Sequence, residues 1–144
     1  MLSQARSKYD DDRLKFLAWP AEARPLEDAG ADLVFMSMVD HHLAAPDKAA
    51  REIHRVLRPG AHAFIRNTVS DEISSYPYLK FFPSIRAIIA HSLHSRAEQD
   101  ARHTAAGFHR TARQTDWHEM AANWQDFATK MALRADSFVA RLDN

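Results

Sequence analysis

Apolar residues change their spacing along this chain, and the changes predict the order of its central elements. Residues 33–39 form a nearly continuous apolar run, which is typical of a strand covered on both faces in a parallel sheet. Residues 47–57 carry apolar side chains at helical spacing, with Asp47 as the N-cap or a first-turn acid. Arg58-Pro59-Gly60 ends the helix, and residues 61–67 form the next strand. Strand, helix and strand with short connections predict a βαβ unit with parallel strands.

Less regular patterns flank this unit. They predict a helix over 1–8, a short strand over 14–19, helices over 84–94 and 95–106, a strand over 108–117 and a long helix over 119–142. Ser95 followed by Glu98 is a capping-box signature. The aromatic residues of 70–83 are open to two interpretations, an apolar core or a lid over a bound small molecule.

Composition narrows the class of protein. The 144 residues suffice for one domain. Nineteen basic and nineteen acidic residues balance, so no nucleic-acid partner is expected. Cysteine is absent, which excludes disulfides and thiolate chemistry within these residues. No apolar run approaches the roughly 18 residues of a membrane span, so we expect no membrane partner and a cytoplasmic location.

The triplet Asp40-His41-His42 directly follows the first apolar strand and raises the question of a metal site. Catalytic metals need further acids and histidines from other strand ends, and no Asp-x-Asp follows another apolar strand. We therefore predict no metal ligands. A metal-dependent hydrolase built on Asp40, His41 and His42 is kept as an alternative. His91 and His94, one helical turn apart, are either a ligand pair or surface histidines.

Several short motifs together resemble the class I S-adenosylmethionine-dependent methyltransferases, in particular the type 11 group that acts on small molecules. The matching stretches follow the order of the family pattern: AEARPL at 21–26, DLVF at 32–35, DHHL at 40–43, RVLRPG at 55–60 and AGF at 106–108. The helix-to-strand turn at 55–60 is the most specific of them.

The resemblance implies an α/β fold: a truncated Rossmann-like class I methyltransferase sheet, with parallel strands and a crossover helix, followed by a helical C-terminal part. It implies one partial domain over 1–144, with 1–68 on the cofactor side and 69–144 on the acceptor side. S-adenosylmethionine is the implied cofactor and a small-molecule methyl acceptor the implied partner.

The resemblance also implies site residues. Ala21 and Glu22 would lie over the adenine of the cofactor, and Ser37 and Met38 would border the cofactor or the acceptor. His42 is the candidate for a catalytic base. Loop or packing roles are the alternative for each of these residues.

The departures from the family pattern are as informative as the matching motifs. Glycine occurs only at positions 30, 60 and 107, so these residues contain no Gly-x-Gly-x-Gly loop for the cofactor. By the usual size of a βαβ unit, on the order of 50 residues of the family fold are missing. We therefore expect impaired cofactor binding, a chain that is truncated and inactive alone, and self-association through an exposed sheet edge. A non-catalytic interaction domain on the same fold is a further alternative.

Overall fold

The computed structural model describes residues 2–9, 11–117, 119–133, 138 and 140, without the side chains of residues 75 and 78. The regular elements are α1 (Leu2–Lys8), β1 (Ala31–Ser37), α2 (Pro46–Val56), β2 (Leu57–Arg66), α3 (Ile85–Ser92), α4 (Arg96–Ala105) and α5 (Trp124–Ala132). Three 3-10 turns lie between them, at Asp40–His42, Ser70–Ser75 and Pro77–Lys80. None of the helices in this part of the chain has the length and apolar character that crossing a membrane requires.

The predicted βαβ unit is confirmed. β1 and β2 are parallel neighbours, with Val34 opposite Ala63 and Met36 opposite Ile65. Val34 and Met36 are buried together with Ile53 and Val56 of α2, so the helix covers one face of the strand pair. Burial of this apolar face is what fixes the register, because a one-residue shift would turn it to solvent.

The segment Arg58-Pro59-Gly60 lies inside β2 rather than before it. Leu57 already pairs with Ala31, and β2 then advances five residues while β1 advances only two, to Leu33 opposite His62. The extra residues form a bulge, and Gly60 adopts a φ of +80°, which glycine tolerates without strain. The helix therefore ends where the sequence indicates, but the strand begins four residues earlier than predicted.

Two strand predictions are wrong. Residues 14–19 have no regular structure, and Leu14, Leu17 and Trp19 are exposed, because no other element offers them an apolar surface in the described part of the chain. Residues 108–117 are also irregular. Arg110 and Arg113 of this segment pair with Asp100 of α4, so polar side chains rather than a strand ladder hold it.

The helices predicted over 1–8, 84–94 and 95–106 are confirmed by α1, α3 and α4 within their observed bounds, and Ser95 and Glu98 form the reciprocal capping box. The long C-terminal helix is shorter than predicted, since α5 spans Trp124–Ala132. Much of the remainder of 119–142 lies outside the described residues.

A second core lies beyond β2. Its buried members are Ile73, Leu79, Ile85, Ile89, Leu93, Phe127 and Phe138. Tyr76 packs against this cluster, which favours the core interpretation for that residue over a free lid. The division into 1–68 and 69–144 stays a prediction.

Candidate functional site

The carboxyl ends of β1 and β2 meet at one edge of the sheet, where ligands bind in open α/β folds. Ser37 pairs with Arg66 in the register, and the Arg66 guanidinium donates to the Ser37 hydroxyl at 3.3 Å. The backbone N–H of Met38 donates to the Arg66 carbonyl at 2.8 Å. The two strands therefore end together, and the chain leaves β1 at Met38.

Met38 adopts an unusual backbone conformation. Its φ is +55°, in the left-handed region that costs a non-glycine residue roughly 1–3 kcal/mol. Such strain often marks functional positions, because surrounding structure must enforce it. Met38 also lines a cavity of about 1380 Å³, and the Thr68 hydroxyl approaches its Sδ at 3.9 Å. Tyr76 donates its hydroxyl to Thr68 at 2.9 Å.

Sequence reasoning missed Thr68. Its position two residues after β2 places it at the same sheet edge as Met38, and that position was a usable signal. Its link to Tyr76 joins the strand ends to the second core, which could not be read from spacing alone.

Asp40 is not placed for metal binding. It is 3% exposed, and both of its carboxylate oxygens accept from the Arg102 guanidinium, at 3.0 and 3.1 Å. His94 Nδ1 lies 3.0 Å from the same carboxylate. Arg102 also donates to Asp47 at 3.0 Å. The carboxylate is thus committed to a guanidinium and an imidazole, and it anchors the turn after β1 to α4.

The two histidines of the triplet have different surroundings. The His41 ring lies 4.0 Å from the His42 ring and 5.5 Å from Phe138, measured between centroids. His42 is exposed, and its side chain does not line the cavity beside Met38. In the described residues, no three metal-ligating side chains come together.

The side chain of Glu22 lies beside the N-terminus of α2. Its Oε1 accepts from the backbone N–H of Ala45, the N-cap residue, at 3.1 Å. Neither Ala21 nor Glu22 lines the cavity, and nor does Ser37. Of the five predicted site residues, Met38 alone lies on the cavity wall in this part of the chain.

The loop that carries Ala21 and Glu22 is also fixed to the last turns of α2. Arg55 donates to Glu52 at 2.6 and 2.8 Å and to the Arg24 carbonyl at 3.3 Å, and it forms an ion pair with Asp28. The backbone N–H of Arg24 donates to Glu52 at 2.8 Å. The Arg55 guanidinium lowers the pKa of Glu52 to about 2. Arg55 therefore has a structural role, because it fixes this loop to α2.

The fold is similar to that of solved methyltransferase structures. A chain in the complex between the Haloferax volcanii Trm112 methyltransferase activator and a methyltransferase superposes with a TM-score of 0.61 at 26% identity, over 76% of this chain and 46% of that one. A Thermotoga maritima S-adenosylmethionine-dependent methyltransferase, described as a possible histamine N-methyltransferase, gives 0.51 at 22% identity, over 62% and 44%. A methyltransferase from Bacillus halodurans gives 0.53 at 18% identity, over 74% and 54%.

The family comparison concerns the N-terminal part. Residues 1–65 match the model described as "Methyltransferase domain". These residues are therefore similar in sequence to the methyltransferase domain family. The matched residues contain all of β1 and α2 and nearly all of β2, so the family match and the parallel βαβ unit coincide.

The comparisons also show how much of each solved structure this chain covers. The chain spans about half the length of the solved structures that it matches, between 44% and 54%. No curated protein matches it significantly.

Proposed function

We propose that this chain contributes one side of an S-adenosylmethionine-dependent methyltransferase that acts on a small molecule in the cytoplasm. The observation that carries the proposal is the confirmed β1–α2–β2 unit within the family match, with the strained Met38 bordering a cavity at the strand ends. Methyl transfer mainly requires that donor and acceptor are held in line and that water is excluded. Residues at these strand ends are suited to that positioning.

The cofactor would be held only in part by these residues. Ser37 and Met38 would border it, and the loop of Ala21 and Glu22 would lie over its adenine. The 144 residues contain no glycine-rich loop, and Glu22 already accepts a hydrogen bond from Ala45. A glycine-rich loop would have to come from polypeptide beyond these residues or from a partner, and the chain alone would be inactive.

Two alternatives have less support. A metal-dependent hydrolase is not favoured, because Arg102 and His94 engage the carboxylate of Asp40. A purely non-catalytic domain has no observation of its own in its favour. His42, which is exposed and off the cavity wall, stays only a candidate base.

Protein partners form a further part of the proposal. The Haloferax volcanii relative was solved in a complex with an activator protein. Here the face of the sheet that carries Leu33, Phe35 and Phe64 is exposed, and no described strand pairs with the outer edge of β1. We propose self-association through this edge when no other partner covers it.

Calorimetric titration with S-adenosylmethionine tests the function. We expect no micromolar binding by the 144-residue chain, because each missing hydrogen bond is worth about 0.5–1.5 kcal/mol and several are absent. A polypeptide extended at its N-terminus by a family segment carrying the glycine-rich loop should bind at micromolar concentrations. Micromolar binding by the chain alone would refute the proposed incompleteness. Failure of the folded, extended polypeptide to bind would refute the proposed cofactor.

A further inference from the structure

The cavity beside Met38 has the size of a small-molecule site. Its walls include residues 61–69 at the end of β2 and residues 108–117 after α4, and its volume is about 1380 Å³. Small-molecule pockets usually enclose about 300–1,000 Å³. The cavity can therefore hold an organic molecule together with water.

Five of the seven Arg, Asp and Glu side chains on its walls are already in ion pairs. Arg96 pairs with Glu72, and Arg110 and Arg113 both pair with Asp100. Compensated charges gain little from an ionic ligand, which would have to displace an existing partner. The ion pairs on this wall therefore favour an uncharged ligand.

Two buried polar atoms on the wall lack partners. Asn67 Oδ1 and Gln99 Nε2 are shielded from solvent and make no hydrogen bond within the described residues. A buried polar atom left unsatisfied costs about 1–3 kcal/mol, so native structures rarely retain one without a reason. Terminal amide torsions are broad, so rotating either amide costs little. Together they offer one acceptor and one donor, both uncharged.

Aromatic side chains complete the wall. Tyr76, Trp117 and Trp124 line the cavity, and both tryptophans are largely exposed. Their flat faces suit a planar ring, since aromatic pairs gain from offset or edge-to-face contact.

We propose that this cavity binds an uncharged planar aromatic molecule that carries an amide-like donor and acceptor. Asn67 Oδ1 accepts from the ligand, and Gln99 Nε2 donates to it. The inference rests on the proposed function in one respect: such a ligand, seated near Met38 at the strand ends, is the methyl acceptor.

A matched series of one-ring probes tests the proposal on the 144-residue chain without S-adenosylmethionine. Benzamide is neutral and carries both hydrogen-bonding groups, benzoate is anionic, benzylammonium is cationic and toluene has neither group. Tryptophan fluorescence and NMR shifts of the indole N–H groups report binding, because Trp117 and Trp124 line the cavity. We expect benzamide to bind about three- to tenfold more tightly than each of the other probes.

Substitutions of the two amide residues test whether they cause the tighter binding of benzamide. Asn67→Leu and Gln99→Met should each abolish the advantage of benzamide over toluene. Gln114→Met removes an exposed amide from the same wall and should leave that advantage unchanged. Thermal melting checks folding, and the first two variants should melt no lower than the parent, because each deletes an unsatisfied buried polar atom.

Several results would overturn the proposal. Tightest binding of benzoate would mean that the exposed Arg66 governs the site instead. Equal binding of all four probes, no binding of any probe, or an advantage that survives both variants would also reject it. A lower melting temperature of Asn67→Leu would indicate that the Asn67 amide binds a structural water rather than the ligand. The probe experiment needs no cofactor, so its failure would not affect the result of the S-adenosylmethionine titration. Failure of that titration would equally leave the result of the probe experiment unchanged.

Discussion

Asp40 shows how a residue suited to one chemistry can serve another. An acid beside two histidines after a buried strand fits a metal site on the sequence alone. In the fold, Arg102 and His94 contact the carboxylate instead. They lie 62 and 54 residues after Asp40 in the sequence. No local pattern links positions so far apart, so this cluster could not be predicted from the sequence.

Removing the charge of Asp40 should destabilise the protein strongly. Asp40→Asn leaves the guanidinium of Arg102, 7% exposed, with only the exposed Asp47 as an anionic partner among the described residues. Breaking a buried ion pair from one side typically costs about 3–5 kcal/mol. Because Asp47 remains, we expect a loss of about 3 kcal/mol in the free energy of unfolding, measured by urea denaturation.

Asp47→Asn is the matched control, since it removes the other acid from the same arginine at an exposed position. It should cost less than about 1 kcal/mol. Equal losses in the two variants would contradict the anchoring role of Asp40. A melting temperature raised by Mn²⁺ or Zn²⁺ in the parent but not in Asp40→Asn would revive the metal interpretation.

At the scale of elements, the loop over 21–29 is held to α2 mainly by Glu52 and Arg55. The pKa of Glu52 is lowered from 4.5 to about 2 by the adjacent guanidinium. A depressed pKa means that the folded state favours the ionised carboxylate. The stabilisation is therefore complete above pH 4.5 and is lost as the pH falls towards 2.

Glu52→Gln should remove this pH-dependent stabilisation. At pH 7 we expect a loss of about 1 kcal/mol, a value discounted because the ion pair is partly solvated. The difference between variant and parent should shrink as the pH falls from 4.5 to 2 in urea denaturation. Glu27→Gln, an exposed acid of the same loop, is the control and should change little. A difference that stays constant with pH would contradict the ion-pair account.

The elements that the sequence predicted well are those that bury an apolar face. β1, α2 and β2 bury apolar side chains against one another. The spacing of their apolar residues and the turn at 55–60 are local features of the sequence that indicate this burial. The loose alternation of 14–19 and the turn at Gly107 favoured strands, but neither 14–19 nor 108–117 gains a partner strand in the described chain. Strand propensity decides little where no neighbouring surface is available.

At the scale of the molecule, the sheet is open. The described sheet has two strands, and one face carries exposed apolar side chains, with Phe35 at 64% and Phe64 at 57% exposure. β1 contains neither proline nor lysine, the residues that often protect a free edge. The account of this chain as part of a methyltransferase sheet therefore requires that something else pairs with β1.

Sedimentation velocity over a range of concentrations tests that requirement most directly. We predict that the 144-residue chain associates increasingly with concentration. Phe35→Lys, which places a charge on the open sheet, should make it monomeric. Phe81→Lys changes a phenylalanine of similar exposure, 61%, away from the sheet and should leave the association intact. A monomer at every concentration, or association abolished equally by both variants, would contradict an open methyltransferase sheet.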